Sequence, residues 1–208
     1  MNQSIPALIP LSLLEAVQNI DTPPDDGLGA LEHELVVKRL GLSPTVAAQI
    51  GRYRERAEVG DEVDREEVLA VFRLVGRRPD ADLVLDDAGR RAARHAARER
   101  GNGSRALAAV SPGKLGLGVR MRTAGRLAGK WLMVELRQSQ GVPRAEAGGE
   151  SPALAAREDG VGCRFYTAAL GELLRLVAGY EGVMVHEACR TRGDARCIWR
   201  AERADGYE

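Results

Sequence analysis

The chain has 208 residues, 44% of them hydrophobic and 29% charged, as expected for a globular protein with one good core or two small ones. Lysine plus arginine equals aspartate plus glutamate at 30 each, so the whole molecule offers no long-range field to polyanions or anionic membrane. Its apolar runs are too short for a membrane span, and the start Met-Asn-Gln-Ser-Ile-Pro lacks the basic, greasy pattern of a signal peptide, so the expectation is a cytoplasmic protein with no membrane contact.

Leu13, Leu14 and Val17 predict a short helix ending in a turn cluster over 19–29, where Pro23 and Pro24 forbid continuation. Leu31, Leu35, Val36 and Leu40 recur at helical spacing. Gly41 stops that helix, and Ser43 with Pro44 is a cap and first-turn pair for the next. Asp64 with Glu67 repeats the signal for a helix carrying Val68, Val71, Phe72 and Val75 on one face, and a longer alanine- and arginine-rich helix follows over 80–100. Gly101-Asn102-Gly103-Ser104 is the sharpest break, dividing a helical N-terminal region, 1–104, suited to dimerisation, from a second domain, 105–208.

Residues 112–128 read either as a helix from a Ser111-Pro112 cap or as a strand pair in which Val119 and Met121 alternate with Arg120 and Arg122. A strand is predicted over 131–136, and 141–159 is too irregular to assign. An apolar-striped helix follows over 167–177, then a strand over 182–189 with a hairpin partner over 197–202. The sum is an α+β fold, a small antiparallel sheet backed by helices, with an all-helical N-terminal region.

The three cysteines all fall in the last quarter, as Cys163, Cys189 and Cys197, with His186 just before the second. Thiolate sulfur and imidazole nitrogen are the donors of a closed tetrahedral zinc site, and a strand-turn-strand can supply His186, Cys189 and Cys197 while Cys163 returns from the start of the preceding helix. Each residue taken alone is as readily a buried small hydrophobe or a satisfied polar group. An odd count of thiols without a secretory start favours reduced cysteines; one bridge plus a free thiol is the alternative.

The run Gly162-Cys163-Arg164-Phe165-Tyr166, a leucine-rich helix, and then Cys189-x-x-x-Gly193-Asp194-x-x-Cys197-x-Trp199 resembles the C-terminal motif of the 4-vinyl-reductase (4VR) domain family. That family includes the aromatic-sensing domains of bacterial phenol-type activators and a protein of bacteriochlorophyll synthesis, and its fold is similar to that of a eukaryotic vesicle-tethering subunit. The likeness covers 161–200 and fades over 105–160. It implies a structural zinc on Cys163, His186, Cys189 and Cys197, with histidine where the sensors carry glutamate, and with Glu187 as the alternative fourth ligand. It also implies a cavity between sheet and helices for a small hydrophobic or aromatic molecule, lined by Trp131 and Met133 on one strand face and by Phe165 and Tyr166 beside Cys163. Each of these four reads equally well as core.

Non-catalytic binding or sensing is the function this implies, in a homodimer whose output passes through a partner or through dimer geometry. An accessory protein or reductase of tetrapyrrole metabolism is the alternative, although the chain carries no flavin, nicotinamide or iron-sulfur signature. A helix-turn-helix regulator is the other, using the hairpin around Leu40-Gly41-Leu42-Ser43 with Arg52, Arg54 and Arg56; nearby acids offset that charge, so nucleic acid is not the expected partner. Arg90, Arg91, Arg94 and Arg98 form a second basic stripe, read as solvated helix surface, with an anionic ligand or nucleic acid as the minor reading.

Overall fold

The computed structural model describes residues 4–22, 43–98, 114–148 and 151–203. Helix α1 (Leu8–Asp21) is apolar on almost every side and is buried accordingly, packed against α2 (Pro44–Glu58), α3 (Arg65–Gly76) and α4 (Ala81–Arg98). Two of the predicted caps form. The Ser43 hydroxyl accepts from the Val46 N–H with Pro44 in the first turn of α2, and the Asp64 carboxylate accepts from the Glu66 N–H at the start of α3. A two-stranded antiparallel ribbon, β1 (Ser4–Pro6) with β2 (Glu62–Asp64), went unpredicted because three residues carry no readable period.

The second half is α5 (Lys114–Leu127), β3 (Val134–Ser139), β4 (Val142–Ala147), α6 (Cys163–Leu173), β5 (Gly182–Ala188) and β6 (Cys197–Arg203). Its four strands form one antiparallel sheet in the order β3-β4-β6-β5. Val134, Leu136, Pro143, Ala145, Ala147, Cys197, Trp199, Ala201 and Met184 are its buried residues, and α6 packs against β5 and β6. The expected α+β class holds. Among the described residues no helix is long and apolar enough to cross a membrane.

Two open points resolve and one expectation changes. The open choice over 112–128 resolves to helix from Lys114 onward. The strand expected over 131–136 is displaced: α5 continues through a π turn at Ala128–Leu132, and the chain reverses at Met133, whose φ of 57° is left-handed, before β3 begins at Val134. Trp131 and Leu132 are buried where they stand in the helix, and a short apolar run such as Trp-Leu-Met-Val cannot be assigned to helix or strand by period alone. Third, the unassigned 141–159 contains β4, whose inward positions are Pro143, Ala145 and Ala147, too small to register as a hydrophobic alternation. The expected helix over 31–40 and the break at 101–104 lie outside the described residues. The buried residues on the two sides of that break form one continuous core.

What joins the halves is the crossing of α4 and α6. Ala88, Gly89, Ala92, Ala93 and Ala96 make a buried small-residue stripe on α4, and a Cβ added at Gly89 would lie 2.2 Å from the Phe165 carbonyl oxygen and 2.9 Å from the Ala169 nitrogen. Around this crossing, Arg94 Nε donates to Glu172 at 3.0 Å and Arg164 to Asp86 at 2.8 Å, with Arg175 completing the Glu172 pair at 2.7 Å.

Gly89→Ala should therefore lower the free energy of unfolding by about 1–3 kcal/mol, since neither helix can withdraw without opening the core; chemical denaturation measures this. Glu172 supplies a pH test. Hydrogen bonds from Arg175, and then from Arg94, hold its carboxyl below the ordinary 4.5, so its contribution is present above that value and is lost as pH falls through it toward the folded value. Unfolding measured on both sides of 4.5 should show Glu172→Gln losing less stability on acidification than the wild type.

Candidate metal centre

Cys163 is the first residue of α6, His186 lies within β5, Cys189 directly follows that strand, and Cys197 opens β6. Residues three apart on a regular strand point to opposite faces, which would separate His186 from Cys189. The β5–β6 ladder breaks at this point: His186 pairs with Trp199 and Ala188 with Ile198, leaving Glu187 as the extra residue of a bulge. That insertion restores the parity and turns Cys189 to the His186 side. The Arg192 guanidinium donates to the carbonyls of Glu187 at 3.1 Å and His186 at 3.4 Å, occupying acceptors at the bulge.

The ligand atoms of Cys163, His186, Cys189 and Cys197 all lie within 4.8 Å of one another. Cys163 Sγ stands 3.9 Å from Cys189 Sγ and 3.8 Å from Cys197 Sγ, and all three cysteines are buried and free. A disulfide needs about 2 Å between sulfurs. Two thiolates on one tetrahedral zinc, at about 2.3 Å each, stand about 3.8 Å apart. The spacing is thus that of a coordination tetrahedron, and the cluster could hold a metal ion. Glu187 is not in the set; it is exposed and paired with Arg200.

Neighbouring groups fix the donors. The His186 ring stacks on Trp199, with centroids 4.7 Å apart and planes 13° apart, and Trp199 Nε1 donates to Thr167 Oγ1 at 2.9 Å. Asp194 clasps the loop after Cys189, accepting from the Cys189 N–H at 2.7 Å and donating its own N–H to the Cys189 carbonyl at 3.2 Å. Gly193, at φ 94°, makes that return possible. Thr191 Oγ1 lies 2.9 Å from Cys189 Sγ. Thr167, Thr191, Asp194 and Trp199 in these supporting roles were not singled out from the sequence; only the Gly-Asp and Trp of the motif hinted at them.

Electrostatics agree with a cation site. The Cys163 thiol is pushed up by its contact with Cys197 and by burial, while the same contact pulls the Cys197 thiol down. His186 Nε2 is buried with no hydrogen-bond partner among the described residues. One divalent ion could be held by the imidazole and all three sulfurs together.

A cavity among the described residues lies between helices. About 490 Å³ in volume, it is walled by Leu8, Leu11 and Glu15 of α1, by Arg54, Ala57 and Glu58 of α2, by Arg91, His95 and Arg98 of α4, and by Trp131. Each helix contributes residues three or four apart, one face of its turn. Of the four expected lining residues only Trp131 reaches it. Met133 borders a shallower hollow beside β3, because the reversal at its left-handed φ takes it off any shared strand face with Trp131. Phe165 and Tyr166 are fully buried in a ring series that runs edge to face from Phe72 through both and meets Trp199 at a tilt, where burial pushes the Tyr166 phenol up.

Within the cavity, burial raises Glu15, but hydrogen bonds from His95 and Arg54 outweigh it and hold the carboxyl below its usual range. The arginines that followed the suspected helix-turn-helix are spent in ion pairs, Arg52 with Glu67, Arg54 with Glu15 and Arg56 with Asp61. No protein-family model, curated protein or solved structure matches the chain.

Proposed function

We propose that the protein is a non-catalytic, zinc-clipped domain of the 4-vinyl-reductase type that binds, and thereby senses, a small hydrophobic or aromatic molecule. The observation that carries the reading is the convergence of three sulfurs and an imidazole within 4.8 Å at the residues of the motif. Three thiolates and one histidine suit zinc better than magnesium or calcium, which take oxygen. With four protein ligands the ion has no open position for activating water, so its work is to tie the start of α6 to the β5–β6 hairpin. The molecule bound would occupy the cavity beside Trp131, whose volume of about 490 Å³ is in the range of small-molecule sites and whose floor is apolar. A second copy or a partner chain would read the occupied state.

Purified protein should carry one zinc per chain by native mass spectrometry. A strong chelator should lower the melting temperature markedly, since structural zinc in finger peptides supplies roughly 10 kcal/mol or more of apparent folding free energy. Cys197→Ser and His186→Ala should lose metal while Glu187→Gln keeps it, and acid should release the ion because protons compete for sulfur and imidazole. Protein that is free of metal yet melts like the untreated sample would overturn the reading.

A further inference from the structure

We propose that the cavity among α1, α2 and α4 takes an organic anion: an apolar body bearing one carboxylate-, sulfonate- or phosphate-type group. The proposal rests on the small-molecule reading above and names the class of ligand. Leu8, Leu11 and the Trp131 indole give the apolar floor. Arg91, His95 and Arg98 of the lining stand at i, i+4 and i+7 on α4, one face of that helix.

What matters is which of these polar groups are already used. Glu15 accepts from Arg54 at 2.9 Å and faces His95 Nε2 at 3.4 Å. Arg91 donates to Asp87 through Nε at 2.8 Å. Arg98 has no carboxylate partner among the described residues, whereas Lys130, with its Nζ 4.3 Å over the Trp131 ring, lines the separate hollow beside β3. Glu58, the second carboxylate of the lining, is at the exposed rim.

The buried group left over is a donor. Trp131 is 3% exposed, and its Nε1 has no hydrogen-bond partner among the described residues. A buried N–H without an acceptor is costly. A negative charge on a ligand in the cavity would answer Arg98 and the free end of Arg91, which a pure hydrocarbon would leave unanswered. The basic stripe of α4 therefore divides by face: Arg94 is turned to Glu172 of α6, and Arg91 and Arg98 to the cavity.

Anilinonaphthalene sulfonate, an apolar body with one anionic group, and N-phenylnaphthylamine, a similar body without charge, test this on the full chain. Energy transfer from tryptophan reports binding; Trp199 is the other tryptophan of the chain, so Trp131→Phe assigns the signal to the cavity. The expected result is one sulfonate probe per chain, bound more tightly than the neutral probe and weakened at least about ten-fold by combined Arg91→Gln and Arg98→Gln. The neutral probe should change by less than about two-fold in that variant, and Arg91→Lys with Arg98→Lys should restore most of the sulfonate affinity. Matching melting curves for all variants exclude a folding defect. If both probes bind alike and the arginine variants move neither, the anion proposal is overturned and the small-molecule reading stands. If neither probe binds, both fall together.

Discussion

Three sulfurs and an imidazole nitrogen drawn to one buried point are the constraint around which the C-terminal half is built. Thiols and an imidazole can be buried singly at small penalty, but four donors facing one another could hold a metal ion between them. The elements that supply them are a helix start and the two arms of a hairpin, which have no continuous hydrogen-bond ladder in common. A shared ion is the economical way to hold such pieces in one geometry.

From that point the packing runs without a gap to the cavity. Cys163 opens α6; two residues on, Phe165 presents the carbonyl that leaves no room for a side chain at Gly89 of α4. Two turns further along α4, His95 faces Glu15 across the cavity. Helix α4 thus has two occupied faces, a small-residue face against α6 and a basic face toward the cavity. The position of the second depends on the tightness of the first. This contiguity is a property of the packing, and it explains why the donor cluster and the cavity occur in one body although they share no residue.

The supporting groups show how little slack the cluster has. A strand with unbroken alternation would place His186 and Cys189 on opposite faces, so the extra residue at Glu187 is as necessary as the ligands themselves. The stack of His186 on Trp199 sets the plane of the imidazole, and Trp199 is in turn fixed by Thr167. Asp194 and Gly193 return the chain so that Cys197 can begin the next strand.

The sequence alone determined the element types where period and caps agree: α1 from its leucines, α2 from Ser43-Pro44, α3 from Asp64 with Glu67, and the α6–β5–β6 order from the apolar stripe and the cysteine spacing. It also brought out the three cysteines, with His186 or Glu187 as the fourth candidate, because sulfur and imidazole chemistry is readable residue by residue. Tertiary structure alone decided the rest. Whether Trp-Leu-Met-Val continues a helix depends on what Trp131 and Leu132 pack against, and whether Ala145 and Ala147 form a strand depends on β3 and β6 beside them. The choice between His186 and Glu187 turned on a bulge in the pairing register, and the cavity on how three helix faces meet around Trp131. These are relations between segments distant in the chain, and a local pattern carries no record of the distance between two residues that meet only after folding.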